Sequence, residues 1–417
     1  MKRRDLLVAT AAAAVLPAPV RSSGGRPPNA ALYFSGIAET VIAPGRPPGS
    51  AGVFGGIVNG AIHDAGAAAG RRFRPLLGDL PSARGGDVDA AVAAAAYTVL
   101  AGRLPAQATV LAEAYESYRA LLPGTREVRR GLATGRAVAE EILRRRADDG
   151  FDAVVPWAQP APGPGVFEPV VSNPDGTPAT PVDVKLVGVR PLLMASPRQF
   201  RPAGPNGLTS AAYTADWRET DEYGRIDSTR RSAAQTETVQ FWAENPYTQW
   251  SRTLRGLAAD RGLGTEAAAR MLGVVQIAAA DALIGCFDAK YHFLFWRPVH
   301  AIGRAGTDGN PATTADPTWR SLLVVNHPEY PSAHASLTTA VTTALAAHFG
   351  TTRVPLTMTS TVTGTTRTYR RLTEPGHEVS GARVRAGLHF RKSMIDGARL
   401  GRRAAKLVTG RAGSEKS

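Results

Sequence analysis

A chain of 417 residues, 43% of them hydrophobic, can bury one large core or two to three smaller ones, and its composition is neither disordered nor fibrous. The formal charge of +14 comes almost entirely from arginine scattered through helical stretches and tails. No recognition motif or aromatic-interleaved basic stripe accompanies that charge, so no nucleic-acid partner is expected. Cys286 is the only cysteine, which excludes an intramolecular disulfide and a cysteine-rich metal site.

Residues 1–25 carry a charged start, Met1-Lys2-Arg3-Arg4-Asp5, then an alanine-rich apolar run to Leu16 and Pro17-Ala18-Pro19. This looks like an export signal of the twin-arginine kind. It predicts an exported protein, periplasmic or extracellular. No further stretch is expected to span a membrane.

One large helical catalytic domain is expected over 26–410, followed by a polar tail at 411–417. Val53 to Ala69 is predicted as a small-residue helix suited to close packing, with His63 and Asp64 as a mutually satisfied polar pair. Helical blocks follow at Val88 to Leu104, Ala106 to Leu122 and Thr125 to Ala147, with Leu, Val and Ile at helical spacing. This is bundle patterning, and it predicts an all-α fold. Residues 150–210 are rich in Pro and Gly, yet Trp157, Phe167, Leu193, Met194 and Phe200 predict a packed wall or lid rather than a linker.

Helices resume at Ser232 to Trp242 and Trp250 to Ala259. Thr265 is a candidate N-cap for Glu266 to Asp288, which is apolar on nearly every side and therefore buried. That run delivers Lys290 and Arg297. If the helix continues, their separation of seven residues puts both on one face, and Pro298 ends it. Two cations leaving an apolar segment need an anion, either Asp281 or Asp288 in a salt bridge or a ligand.

Asn326-His327-Pro328-Glu329-Tyr330-Pro331-Ser332-Ala333-His334 precedes an apolar run from Ala335 to Phe349, closed by Gly350. Ser332 is the expected N-cap. The free N–H groups and positive dipole end of such a helix favour an anion, with the Ser332 hydroxyl and His334 imidazole at the same place. In Ser380 to Phe390, Gly387 is expected to interrupt a helix, letting Arg383 and His389 face one pocket. Met394 to Val408 is predicted as a final basic amphipathic helix. There is no phosphate-binding loop, dinucleotide fingerprint or nucleophile elbow.

Lys290, six residues, Arg297-Pro298; then Pro331-Ser332-Ala333-His334; then Arg383, five residues, His389: this order resembles the signature of the vanadium-dependent haloperoxidase and type 2 phosphatidic acid phosphatase superfamily. The flanks Phe295-Trp296, Glu329-Tyr330, Gly387-Leu388 and Phe390-Arg391, with Gln199-Phe200-Arg201-Pro202, Gln235-Thr236-Glu237 and Phe241-Trp242, look like the bacterial haloperoxidase branch. The likeness runs from about Ala51 onward. It implies bundled helices and a vanadate cofactor whose equatorial oxygens are held by Lys290, Arg297, Arg383, Ser332 and the N–H of Ala333. His389 would be the vanadium ligand, His334 the acid–base and Lys290 the group polarising peroxide. The implied reaction uses hydrogen peroxide to oxidise halide to a hypohalous acid equivalent for a small organic acceptor; a homo-oligomer is possible.

Four positions depart from or vary within the signature. Ala333 replaces glycine, where a methyl group could crowd the oxyanion or alter the backbone. Ala382 replaces a frequent serine, with Ser380 the nearest substitute. Ser393 stands where an acidic residue commonly follows the last histidine, with Asp396 the nearest carboxylate. His327 occupies a position that tends to be aromatic in chloride-oxidising and histidine in bromide-oxidising relatives. Two rival readings use the same pocket: a phosphate ester hydrolase with His389 as nucleophile, and a non-catalytic or repurposed oxyanion-binding scaffold. His292, His300, His348 and His377 are read as structural or surface residues.

Overall fold

The computed structural model describes residues 16–21, 24–70, 72–78, 80 and 84–413, so most of the expected export signal lies outside the described residues. The periodic segments form helices, and the fold is all-α apart from one hairpin. The first group comprises α1 (Ala30–Ile42), α2 (Pro48–Ala69), α3 (Val88–Arg103), α4 (Ala108–Arg119) and α5 (Arg126–Arg145). After the Pro/Gly-rich excursion come α6 (Ala211–Gly224), α7 (Ala233–Phe241), α8 (Pro246–Asp260), α9 (Thr265–Phe293) and α10 (Pro298–Gly303). The last group is α11 (Ala333–Phe349), α12 (Glu374–Arg385) and α13 (Arg391–Ala412). The hairpin, β1 (Leu356–Thr359) paired antiparallel with β2 (Thr366–Tyr369), was not anticipated: its Thr-rich strands show no clear alternation of apolar residues.

The axis of the molecule is α9. Its helix packs against α2 and α3 on one side and α11 and α13 on the other. This 29-residue helix is long and apolar enough to cross a membrane, contrary to the expectation that no such stretch exists past the N-terminus, but its most apolar window is wholly buried inside the protein. Its N-cap is Gly264, not Thr265, whose hydroxyl instead donates to Asp89 at 2.7 Å. It stops at Phe293, where Leu294 turns left-handed at φ 48°, so Lys290 and Arg297 do not share a helix face. Arg297 precedes α10 on extended backbone.

Small residues set the spacing of the helices. On α13, a Cβ added at Gly397 would lie 2.6 Å from the Ser332 carbonyl oxygen, and one at Gly401 would lie 2.1 Å from that of Ser336. Glycine at both positions therefore lets α13 press on the first turns of α11, the helix whose N-terminus faces the site. The final helix is longer than its sequence pattern suggested and takes in Arg411 and Ala412, which had been assigned to the tail.

The Pro/Gly-rich excursion is a packed wall, as expected. Phe167, Leu193 and Met194 are buried, and Trp157 packs edge-on against Phe167 and Tyr291. Three consecutive N–H groups, of Leu192, Leu193 and Met194, donate to the buried Asp281 carboxylate at 2.6–2.9 Å. His63 Nε2 and the Asp64 carboxylate lie 3.9 Å apart, so the expected pair is in contact but does not satisfy itself by a hydrogen bond. Asp64 accepts from the Leu76 and Leu77 N–H groups at 2.7 and 2.9 Å, while His63 Nε2 has no hydrogen-bond partner and is held neutral by burial.

Replacing Gly401 with Ala forces the α11 backbone to yield and is expected to cost about 2 kcal/mol. Gly410→Ala, at a helical position with open space around it, should be neutral or slightly stabilising. Equilibrium denaturation of both variants checks the contrast, and equal midpoints would contradict the close-packing assignment.

Candidate active site

The three motifs converge on one cavity of about 240 Å³, which the second and third line and the first braces from behind. Ala333, His334, Arg383 and His389 line it, with His327 and Asn326 beside them and Leu283, Phe287, Val182 and Pro246 as apolar wall. Each polar side chain arrives on a different element: His334 on the first turn of α11, Arg383 on the last turn of α12, and His389 on the loop before α13. Gly387 makes the third placement possible. Its φ of 71° ends the helix, and the backbone there passes so close to Gly224 and Trp319 that a side chain would not fit.

Lys290, Arg297 and Ser332 are not on the cavity wall; they are buried at or below 2% exposure and tie together the loops that form it. Lys290 Nζ donates to the carbonyls of Pro328 and Glu329 at 2.8 and 3.0 Å. Arg297 donates from Nε to the His327 carbonyl and from Nη1 to that of Leu388, each at 2.7 Å. Its Nη2 reaches His327 Nδ1 at 2.8 Å and the Pro328 carbonyl at 3.2 Å. The Ser332 hydroxyl accepts from the Ala335 N–H at 3.4 Å as a weak N-cap.

No carboxylate lies within salt-bridge distance of Lys290, Arg297 or Arg383 among the described residues. The two acids suggested as partners are engaged elsewhere: Asp281 with the excursion backbone, and Asp288 with Arg201 through a two-pronged pair at 2.8 Å. Burial, then repulsion from Arg297 for Lys290, Arg383 and His389 and from Arg383 for His334, holds these pKa values below their ordinary ranges. Arg383 Nε and His334 Nε2 are buried without any hydrogen-bond partner. An anion supplies what this set lacks: negative charge for three cations and an acceptor for the unpaired Arg383 N–H. The residues present therefore fit vanadate or phosphate.

His327 carries a consequence that its loop position did not announce. Its Nδ1 accepts from Arg297, and its ring tilts against Phe287 at 5.4 Å, so it is fixed in the wall. The concern over Ala333 is resolved for the backbone: it is the first residue of α11 in ordinary helical conformation, with no positive φ. Its N–H, like every N–H of a first turn, has no acceptor within the helix and is available to a ligand.

Sequence reasoning overlooked Glu329, the carboxylate that holds His389 in place. Its carboxylate, fully buried, meets His389 Nδ1 at 3.0 Å, and accepts from the Phe390 N–H at 2.9 Å and the Ser393 hydroxyl at 2.7 Å. A carboxylate at Nδ1 makes that nitrogen the donor and leaves Nε2 as the lone-pair atom. The second carboxylate was sought after His389, at Asp396, which instead accepts from Tyr330 and pairs with Lys392 and Arg399. Ser393 supports Glu329 rather than replacing an acid. Ser380 accepts from Arg391, so it does not stand in for the serine missing at Ala382. The signal for Glu329 was an acid inside an apolar, proline-bounded stretch, three residues before the helix N-cap Ser332.

His292 and His377 are exposed, and His348 packs edge-on against Phe349, as their structural or surface reading required. His300 lines a separate cavity.

Glu329→Gln keeps the shape but can present its amide N–H to His389. The expected result is weaker phosphate or vanadate binding by roughly tenfold to a hundredfold with an unchanged fold. Calorimetric titration checks it. Oxyanion binding should also weaken as pH rises above neutrality. The Lys290 pKa is low in the free site and is raised by an anion, so binding takes up a proton at pH values between the two. Titrations in buffers of different ionisation enthalpy measure that uptake, and proton release would contradict the assignment.

Residues 270–415 match a family model, the VCPO second helical-bundle domain. No curated protein matches the chain. Among solved structures, the first bacterial vanadium-dependent iodoperoxidase superposes with a TM-score of 0.76 at 19% identity, covering 92% of this chain and 96% of its own. An apo-type bacterial vanadium-dependent chloroperoxidase gives 0.67 at 18% identity over 86% and 91%, and a holo-type one 0.69 at 17% over 94% and 96%. The chain therefore has the helical fold of the vanadium haloperoxidase superfamily, and the segment that carries all three of its motifs matches the VCPO second helical-bundle domain.

Proposed function

We propose that the protein is a vanadate-dependent haloperoxidase, using hydrogen peroxide to oxidise a halide to a hypohalous acid equivalent that reacts with a small organic acceptor. The observation that carries this reading is the set of three buried cations, free of carboxylate partners, gathered with two neutral histidines at the N-terminus of α11. His389 Nε2 would hold the vanadium, with Glu329 fixing the imidazole from behind. Arg383, the remaining N–H groups of Lys290 and Arg297, and the N–H of Ala333 would balance the oxyanion charge. Vanadate held there supplies a Lewis acid that activates peroxide at constant oxidation state.

The residues of the chain do the rest. His334 is kept neutral by burial and by Arg383, so its unpaired Nε2 is a base ready to accept a proton from an incoming peroxide and return it to a leaving hydroxyl. Lys290, reached through its third N–H, places a positive charge beside the oxygen to be attacked. Leu283, Phe287, Val182 and Pro246 limit water around these groups and strengthen each electrostatic contact. The same pocket could serve a phosphate ester hydrolase, with His389 as nucleophile. The small, apolar-walled cavity suits peroxide and a halide better than a bulky ester.

Purified protein stripped of metal should oxidise iodide or bromide with peroxide only after vanadate is added. Phosphate ester hydrolysis inhibited by vanadate, without halide oxidation, would replace the reading with the hydrolase. His389→Ala should abolish turnover, and His334→Ala should lower kcat by at least about a hundredfold while vanadate still binds. Full activity in either variant would sink the assigned roles.

A further inference from the structure

Behind the wall of the oxyanion cavity lies a second cavity of about 290 Å³. The partition is one residue thick. Val325 lines both spaces, and Leu388 faces the second while His389 faces the first. Arg297 closes the partition by donating to the Leu388 carbonyl.

The lining has a defined chemistry. Val170, Val299, Val324 and Leu388 give apolar walls, Ser172 and Ser321 offer hydroxyls, and no acidic residue takes part. Arg320 stands exposed at the rim, with only its Nη1 used, on the carbonyls of Pro317 and Trp319. His300, also in the lining, has a buried Nδ1 with no hydrogen-bond partner. Apolar walls with cations and no acid disfavour a cationic ligand and suit a small anion with an apolar body, and the unpaired His300 nitrogen offers it a hydrogen-bonding site. The volume suffices, since an apolar cavity of roughly 150 Å³ already accepts a benzene ring.

We propose that this cavity binds the organic acceptor, a small aromatic carboxylate or phenolate, one residue away from the oxyanion pocket. The role as acceptor site rests on the haloperoxidase reading; the binding itself does not. In the transfer, a ring C–H bond is replaced by carbon–halogen, and the displaced proton leaves with the hydroxide of the hypohalous acid as water. Holding the acceptor by its anionic group at Arg320 would turn the rest of the ring towards the Val325 partition and favour one ring position over others.

The test uses 4-hydroxybenzoate as probe. It is titrated calorimetrically into the full chain without peroxide or halide, and then into Val324→Trp, which fills the cavity from a side chain 58% exposed, and Arg320→Glu, which reverses the rim charge. Saturable binding to the unaltered protein, weakened about tenfold or more in both variants, supports the site. No saturable binding at millimolar probe, or equal binding in all three proteins, overturns it. In turnover, both variants should raise KM for 4-hydroxybenzoate bromination and leave iodide oxidation to triiodide, which needs no organic acceptor, unchanged. An unchanged KM despite lost binding overturns the acceptor role. Failure of triiodide formation in the unaltered protein tells against the haloperoxidase reading and leaves the binding result to judge the cavity.

Discussion

Burying a cation without a carboxylate is the costliest arrangement in this molecule, and the site contains three. Removing Lys290, Arg297 and Arg383 from water is offset in the free protein by backbone carbonyls, those of Pro328 and Glu329 for lysine, of His327, Pro328 and Leu388 for Arg297, and of Trp242 for Arg383, and by the neutral His327 ring for Arg297. Those bonds fix the loops before α11 and before α13 in place. The cations are thus both the framework of the site and its unmet electrostatic demand. A strongly anionic ligand is the natural complement, and the neutral histidines follow from the same excess of positive charge.

The surrounding architecture serves that arrangement. α9 carries Lys290 at its last turn through the middle of the protein, and its early stop at Leu294 redirects the chain so that Arg297 approaches from another angle. α13 presses on α11 through glycine, fixing the helix N-terminus against Ser393 and hence against Glu329 and His389. The Pro/Gly-rich excursion supplies the outer wall with Val182, and Asp183 caps the N-terminus of α2 through the Gly49 and Ser50 N–H groups at 2.9 Å. The fold is an assembly of short-range contacts that converge on one small volume.

Much of this was legible in the sequence. Apolar periodicity marks the helices, because burying one face of a helix requires it, and the three motifs marked the residues that meet at the cavity. What stayed hidden depends on distance in the chain. That Asp281 and Asp288 are taken by the excursion, leaving Lys290 and Arg297 unpaired, is decided by residues some 90 positions earlier. Glu329 was visible but had no assigned partner, because His389 lies sixty residues on and the expected carboxylate was sought nearby. The left-handed Leu294 gave no signal, since glycine or asparagine usually occupies such a position.

Ala333 is where sequence convention and geometry part. Where the signature has glycine, a requirement of the backbone is the usual inference, yet the chain here runs through that position in the conformation of any helix. The position is thus a side-chain position, and it lines the same small volume as His334 and His389. Each carbon added or removed there changes the room left for a bound anion without disturbing the scaffold. Size at residue 333 becomes a dial on ligand choice that can be turned independently of the charge set that holds the ligand.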